Sequence, residues 1–274
     1  MEKLAIKFKR IIIKLFKSSK KLRKLVRNFK VGSFAFRMEI NALERVPYAY
    51  ICYNAAKLAK KLGYKRISVI EYGVGQGAGL LSLEEYTEEI KKILGVEIDI
   101  YGFDTGQGLP KPKDYRDLPY HWKEGFFSMD KNDLIKNLKK TKLILGDIES
   151  TSKTFFSDYN PAPIGAVIHD FDFYSSTKTA LSMMKDNNNF FLPRVFSYFD
   201  DIIGNEIELY NDYTGERLAI NEFNLNNKEI KISQSYHFLS QPNETWHKQI
   251  WIIHFFMHEK YNLFISQDNP SLRP

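Results

Sequence analysis

Five short apolar runs, each followed by a helical stretch and each ending at an acid, constrain this chain more than any other feature. "RISVIEY" ends at Glu71, "EIDIYGFD" at Asp104, "KLILGD" at Asp147, "PIGAVIHD" at Asp170, and "RVFSYFDD" at Asp200 and Asp201. Strands alternating with helices in this way imply a mostly parallel sheet covered on both faces. Two later runs, "EIKIS" and "KQIWIIHFF", bring the expected sheet to seven strands. The expected fold class is therefore α/β, a doubly wound, mostly parallel, Rossmann-like sheet. In such a sheet ligands bind beyond the carboxyl ends of the strands. All of these acids then face one crevice, where an unpaired carboxylate is costly to desolvate.

The helices announce themselves through ordinary signals. "PYAYICYNAAKLAKKLGY" reads as a helix from Pro47 to about Leu62, stopped by Gly63. "LLSLEEYTEEIKKILG" follows the first strand, and "MDKNDLIKNLKK" carries acids early and lysines late, as the helix dipole favours. Further helices are expected after Glu149, after Ser175 and over "GERLAINEF". At 274 residues and 43% hydrophobic content the chain is long enough for one large domain. The single cysteine, Cys52, excludes a disulfide framework and a thiolate metal cage, and a cytoplasmic setting is the default.

The net charge of +7 is unevenly spread. Residues 1–30 hold twelve Lys/Arg against Glu2 alone, whereas the remainder holds 28 basic and 32 acidic groups. The chain accordingly divides into a basic, amphipathic helical arm (1–32) and a main domain (33–274). The arm's uncharged runs are too short to span a bilayer, and it lacks a secretory signal pattern. Its apolar residues recur at helical spacing, broken at Ser18-Ser19. Two readings stand: peripheral contact with an anionic membrane, or an apolar stripe packed on the body or on a second copy in a homo-oligomer. Nucleic acid is disfavoured, because aromatic and basic residues do not interleave as a stacking platform requires.

"EYGVGQGAG" sits where the first strand turns into a helix. Gly73, Gly75 and Gly77 permit a tight turn and close backbone approach to a ligand at a helix N-terminus, which points to a cofactor. The G-x-G-x-G spacing differs from the G-x-G-x-x-G dinucleotide fingerprint. Asp104, ending the next strand, is placed either to accept hydrogen bonds from ribose hydroxyls or to cap its own loop, "FDTGQG".

Together, "VIEYGVGQGAG", "YGFDTGQGLP", "HDFDFYSSTKTAL", "FDDIIG" and "GERLAINEF" resemble the class I S-adenosylmethionine-dependent methyltransferases. More narrowly they resemble the macrocin O-methyltransferase family, metal-dependent enzymes that methylate sugar hydroxyls on natural products. The resemblance covers roughly residues 45–225. It implies S-adenosylmethionine and Mg²⁺ as cofactors and a hydroxylated, sugar-containing small molecule as acceptor. It implies that Glu71 and the glycine backbone hold the methionine and ribose end of the cofactor, that Asp104 binds the ribose, and that Asp147 and Ile148 flank the adenine. It further implies that Asp170, Asp200 and Asp201 coordinate the metal and that Asp172 is the general base.

The chain departs from the family pattern in three places: "LPR" (192–194) replaces a Gly-Gly pair, Ile202 replaces an aromatic residue, and the loop 111–127 has no counterpart. For the acids after the fourth strand, Ser175 and Ser176 are the expected helix caps, which leaves Asp170 and Asp172 free of that duty. His169 reads as a core residue. His121, with Tyr120 and Trp122, either lines an acceptor pocket or packs within its own loop, and Arg37, Glu39, Tyr48 and Tyr50 are candidates for a lid. Competing functions are a metal-dependent glycosyltransferase using the D-x-D, a non-catalytic membrane-associated protein, and a nicotinamide oxidoreductase.

Overall fold

The computed structural model describes residues 11–241 and 244–266. Seven strands form one sheet: β1 (Arg66–Tyr72), β2 (Glu97–Asp104), β3 (Lys142–Leu145), β4 (Ile164–His169), β5 (Phe191–Phe199), β6 (Ile230–Gln234) and β7 (Ile250–Phe255). Their order is β3-β2-β1-β4-β5-β7-β6. Strands β1 to β5 run parallel, and β7 is antiparallel to both β5 and β6. The order reverses direction between β1 and β4, the point at which a doubly wound sheet opens a crevice.

Helices cover both faces. They are α1 (Lys20–Asn28), α2 (Phe34–Glu39), α3 (Val46–Lys61), α4 (Ala78–Leu94), α5 (Lys131–Asn137), α6 (Ile148–Tyr159), α7 (Tyr174–Asp186) and α8 (Gly215–Asn226). β1 shows why its run is β-branched on both sides. Ile67 and Val69 pack with α3 and α4, including Ala55 and Leu83. Ile70 and Tyr72 pack with α7 and α8, including Leu181 and Ile220. A central parallel strand buried on both faces needs continuous apolar sequence, and each fully buried Ile contributes roughly 1.5–3 kcal/mol.

Two expectations shift. The fifth strand starts at Phe191, upstream of "RVFSYF", so Pro193 lies inside it. The register against β4 slips between Ile164 and Ala166, and a proline is tolerated at such an irregularity because no ladder hydrogen bond is demanded of it. Ser175 and Ser176 do not cap the helix after the fourth strand. That helix begins at Tyr174, and its N-cap Phe173 offers no side-chain hydrogen bond. Buried Asp117 takes over from the 111–127 loop, accepting from the Ser175 backbone N–H at 2.8 Å and the Ser175 hydroxyl at 3.0 Å. The loop without a family counterpart is thereby pinned to the end of α7 that faces the crevice.

In the arm, residues 11–18 are helical and Ser19 caps α1, its hydroxyl accepting from the Leu22 N–H. Residues 1–10 lie outside the described part. No helix among the described residues is long and apolar enough to cross a membrane.

Candidate active site

The strand ends enclose a cavity of ≈ 510 Å³, within the range that holds a small-molecule ligand. Its wall includes the glycine turn after β1 (Gly73, Gly75), Asp104 after β2, and Gly146, Asp147 and Ile148 after β3. It also includes Asp170 and Asp172 after β4 and Asp200 and Asp201 after β5, with the Asp170 carbonyl close against Gly73. Trp122 and Phe127 cover it from the 111–127 loop.

Asp170, Asp200 and Asp201 each present a carboxylate oxygen, and these oxygens lie within 4.8 Å of one another. Asp201 is the best anchored. Its Oδ2 accepts the Asp172 backbone N–H at 2.8 Å and its Oδ1 accepts the Tyr210 hydroxyl at 3.0 Å. The Tyr198 hydroxyl donates to Asp200, and Gln249 Nε2 donates to the Asp200 carbonyl at 2.9 Å. Asp172 is buried and sits at φ 61, a left-handed conformation that, glycine apart, aspartate and asparagine accept more readily than other side chains.

Burial holds Asp170 and Asp172 far above the usual carboxylate range, and the neighbouring acids add to the shift. Asp201 is raised for the same reasons, burial first and then Asp200. Arg45 is the one Lys or Arg in the cavity wall among the described residues, against seven acids. A set of hard oxygen donors with so little cationic compensation fits a hard divalent cation.

Beside the glycine turn, Asp104 is committed to the backbone. Its Oδ2 accepts from the Val74 and Gly75 N–H groups at 2.9 and 3.0 Å, and its Oδ1 accepts from Gly106 at 2.6 Å. It fixes the shape of the turn while still lining the cavity. Asp147 also lines the cavity and caps α6 through the Glu149 N–H, with Ile148 beside it. Glu71 and Gly77 are not in the cavity wall. Leu134 of α5 packs onto Gly77. Glu71 is buried behind the turn, where its Oε1 accepts the Tyr48 hydroxyl at 3.0 Å.

No family model matches the sequence, and no curated protein matches it. The structure is similar to the crystal structure of CalS11, a calicheamicin methyltransferase, at 17% identity and a TM-score of 0.51, over 90% of each chain. The apo structure of CalS11, described as TDP-rhamnose 3'-O-methyltransferase, gives 16% identity and a TM-score of 0.45, over 90% of this chain and 92% of that one. At such identities the likeness establishes architecture. The fold is the Rossmann-like methyltransferase fold.

Within this methyltransferase fold, the acidic site includes a residue that the sequence did not mark. Glu216, in the first turn of α8, is fully buried and accepts the Asp201 backbone N–H through Oε2 at 3.1 Å. An acid in the first turn of a helix reads as an ordinary dipole partner, so nothing local signals its burial. Gln249 was equally silent, because it reaches Asp200 from a segment 49 residues away, and so was Tyr210, nine residues after Asp201. Three of the four lid candidates, Arg37, Tyr48 and Tyr50, serve elsewhere, Tyr48 by donating to Glu71. Arg37 pairs with Glu89, and Tyr50 packs on Phe238 and Trp246. Tyr120 donates to the Glu208 carbonyl, while His121 packs edge-on to Trp122 at 4.2 Å, so the loop both packs its own aromatics and covers the cavity. His169 is a core residue, stacked on Phe199 at 4.2 Å, and burial pushes its pKa down to about 3.

Glu71 yields a pH prediction. Burial raises its pKa from 4.5 to about 8, against the opposing pull of Arg45 and the Tyr48 hydrogen bond. An acid whose folded pKa lies above its unfolded value contributes stability that is complete below the unfolded pKa and is lost as pH rises to the folded one. Stability of the ligand-free protein should therefore fall between about pH 4.5 and 8, by up to about 5 kcal/mol from this group. Thermal melts at constant ionic strength check this. Glu71→Gln should reduce the slope, and an unchanged slope would refute the assignment.

Proposed function

We propose that the chain is an S-adenosylmethionine-dependent methyltransferase, specifically a Mg²⁺-dependent O-methyltransferase acting on a hydroxyl of a sugar or other hydroxylated small molecule. The observation that carries this reading is the meeting of Asp170, Asp200 and Asp201 in the wall of a cavity that a glycine turn on a strand-to-helix corner also lines. The methyltransferase fold and the macrocin-family resemblance of "HDFDFYSST" and "FDDIIG" support it.

Methyl transfer from a sulfonium is an in-line displacement, and much of its acceleration comes from positioning the two reactants. The glycine turn, shaped by Asp104, would seat the methyl donor, with Asp147 and Ile148 at its adenine end. Asp170, Asp200 and Asp201 would hold Mg²⁺, which when bound supplies Lewis-acid polarisation of the acceptor hydroxyl. Asp172, buried beside these three, would take the hydroxyl proton on its carboxylate. Tyr210, Gln249 and Glu216 fix the orientations of Asp201 and Asp200 before any ligand arrives. Trp122 and Phe127 would exclude water from the reacting end.

Calorimetry on the purified protein tests the donor site. Binding of S-adenosylhomocysteine is expected, and turnover of a sugar acceptor should be lost on EDTA treatment and restored by Mg²⁺. Binding of a nucleotide-sugar in place of S-adenosylhomocysteine would overturn the proposal.

A further inference from the structure

The described part of the arm, residues 11–31, carries eight Lys/Arg and no acid. The structure ties part of the arm to the body and leaves part of it exposed, with Arg23 donating to the Lys17 carbonyl. On the inner face, Ile13, Phe16 and Val26 pack with Phe36, Ile40 and Ala42, and the Phe16 and Phe36 rings meet edge-on at 5.7 Å. Three cations on this side are tied to the body: Lys17 to Glu244 at 3.9 Å, Arg27 to Glu44 at 2.8 Å and Lys30 to Glu85 at 3.0 Å.

The outer face is different. Ile11 and Leu15 are each 57% exposed, Leu25 53% and Phe29 73%. Lys14, Lys20, Lys21 and Lys24 are exposed beside them, and none has an ion pair with an acid among the described residues. Packing the arm on the body has therefore consumed one apolar stripe and left a second, flanked by free lysines. Aliphatic side chains left in water next to unneutralised cations fit an interface that offers hydrocarbon and anions together.

We infer that the outer face of the arm docks the protein on an anionic lipid surface, with the lysines at the headgroups and Ile11, Leu15, Leu25 and Phe29 at the acyl boundary. A second copy of the chain is a poor occupant, since a self-complementary contact brings two acid-free faces together. Nucleic acid would neutralise the lysines but leave the aliphatic residues in water, and Phe29 alone is no stacking platform. The docking is peripheral, and it is independent of the reaction proposed above.

Co-sedimentation of the full chain tests this, using phosphatidylcholine vesicles with and without phosphatidylglycerol, at low and high salt. The native protein should pellet with the anionic vesicles only, and high salt should weaken the binding. Lys20→Gln/Lys21→Gln/Lys24→Gln should lower the affinity roughly a hundredfold, at about fivefold per lysine. Leu15→Ser/Leu25→Ser/Phe29→Ser should lower it at least about tenfold. All six positions are exposed, so both variants should melt like the native protein. Equal pelleting with neutral vesicles, or native binding by the triple serine variant, would overturn the inference. So would a dimer lost in the same variants without vesicle binding, or duplex DNA bound as tightly as the anionic vesicles.

Discussion

Asp172→Asn is expected to lower turnover by about 10²–10⁴-fold, the usual contribution of a positioned general base, while S-adenosylhomocysteine affinity stays within about threefold of native. The replacement isolates the proton-accepting role unusually well. Asp172 sits at φ 61, and asparagine is among the few side chains that accept this conformation readily. The backbone N–H that donates to Asp201 is untouched, so the anchor of the carboxylate cluster survives. Only the capacity to hold a proton at that carboxylate is removed. Rates measured with saturating cofactor and Mg²⁺ check the outcome. A turnover within about threefold of native would remove Asp172 from the proposed chemistry and leave the fold assignment standing.

The second large effect separates two glycines of one turn. Gly73 has φ 76, and a Cβ added there would sit inside the Asp170 carbonyl. Gly75 has φ 52, but a Cβ there meets nothing within 4 Å, because it would project into the open cavity. Both alanines pay the cost of a left-handed backbone, about 1–2 kcal/mol. Gly73→Ala adds a clash with main chain that cannot swing away, so a further 1–3 kcal/mol or so is expected, together with displacement of Asp170. Gly75→Ala should instead spare most of the stability and weaken cofactor binding by roughly ten- to a hundredfold, since its methyl group occupies the space a bound donor would fill. Melting temperature and calorimetric affinity, measured on both variants, read the two effects separately. Native cofactor affinity in Gly75→Ala would show that the donor does not approach this backbone.

The difference between these glycines marks a limit of sequence reading. Gly73, Gly75 and Gly77 look equivalent along the chain, yet one lies against Asp170, one faces the cavity and one is covered by Leu134. Glu71 shows the same limit. It ends its strand like the other acids, but it points behind the turn toward Tyr48, while Asp104 and Asp170 line the cavity. Glu71 is level with Gly102 and Ile168 across the sheet, so it lies on the same face as Asp104 and Asp170 but one pleat short of them, beneath the turn rather than at the rim.

Local pattern alone determined the alternation of strands and helices, the doubly wound sheet and the gathering of acids at one edge. Those features depend on periodicity and on the rule that parallel strands end together. Tertiary structure alone decided that Asp117 caps α7, that Glu216, Tyr210 and Gln249 brace the acidic cluster, and that the arm keeps a second apolar face in water. Most of these depend on groups brought together across long stretches of chain, and the direction of a side chain at such a meeting is set by packing rather than by its neighbours in sequence.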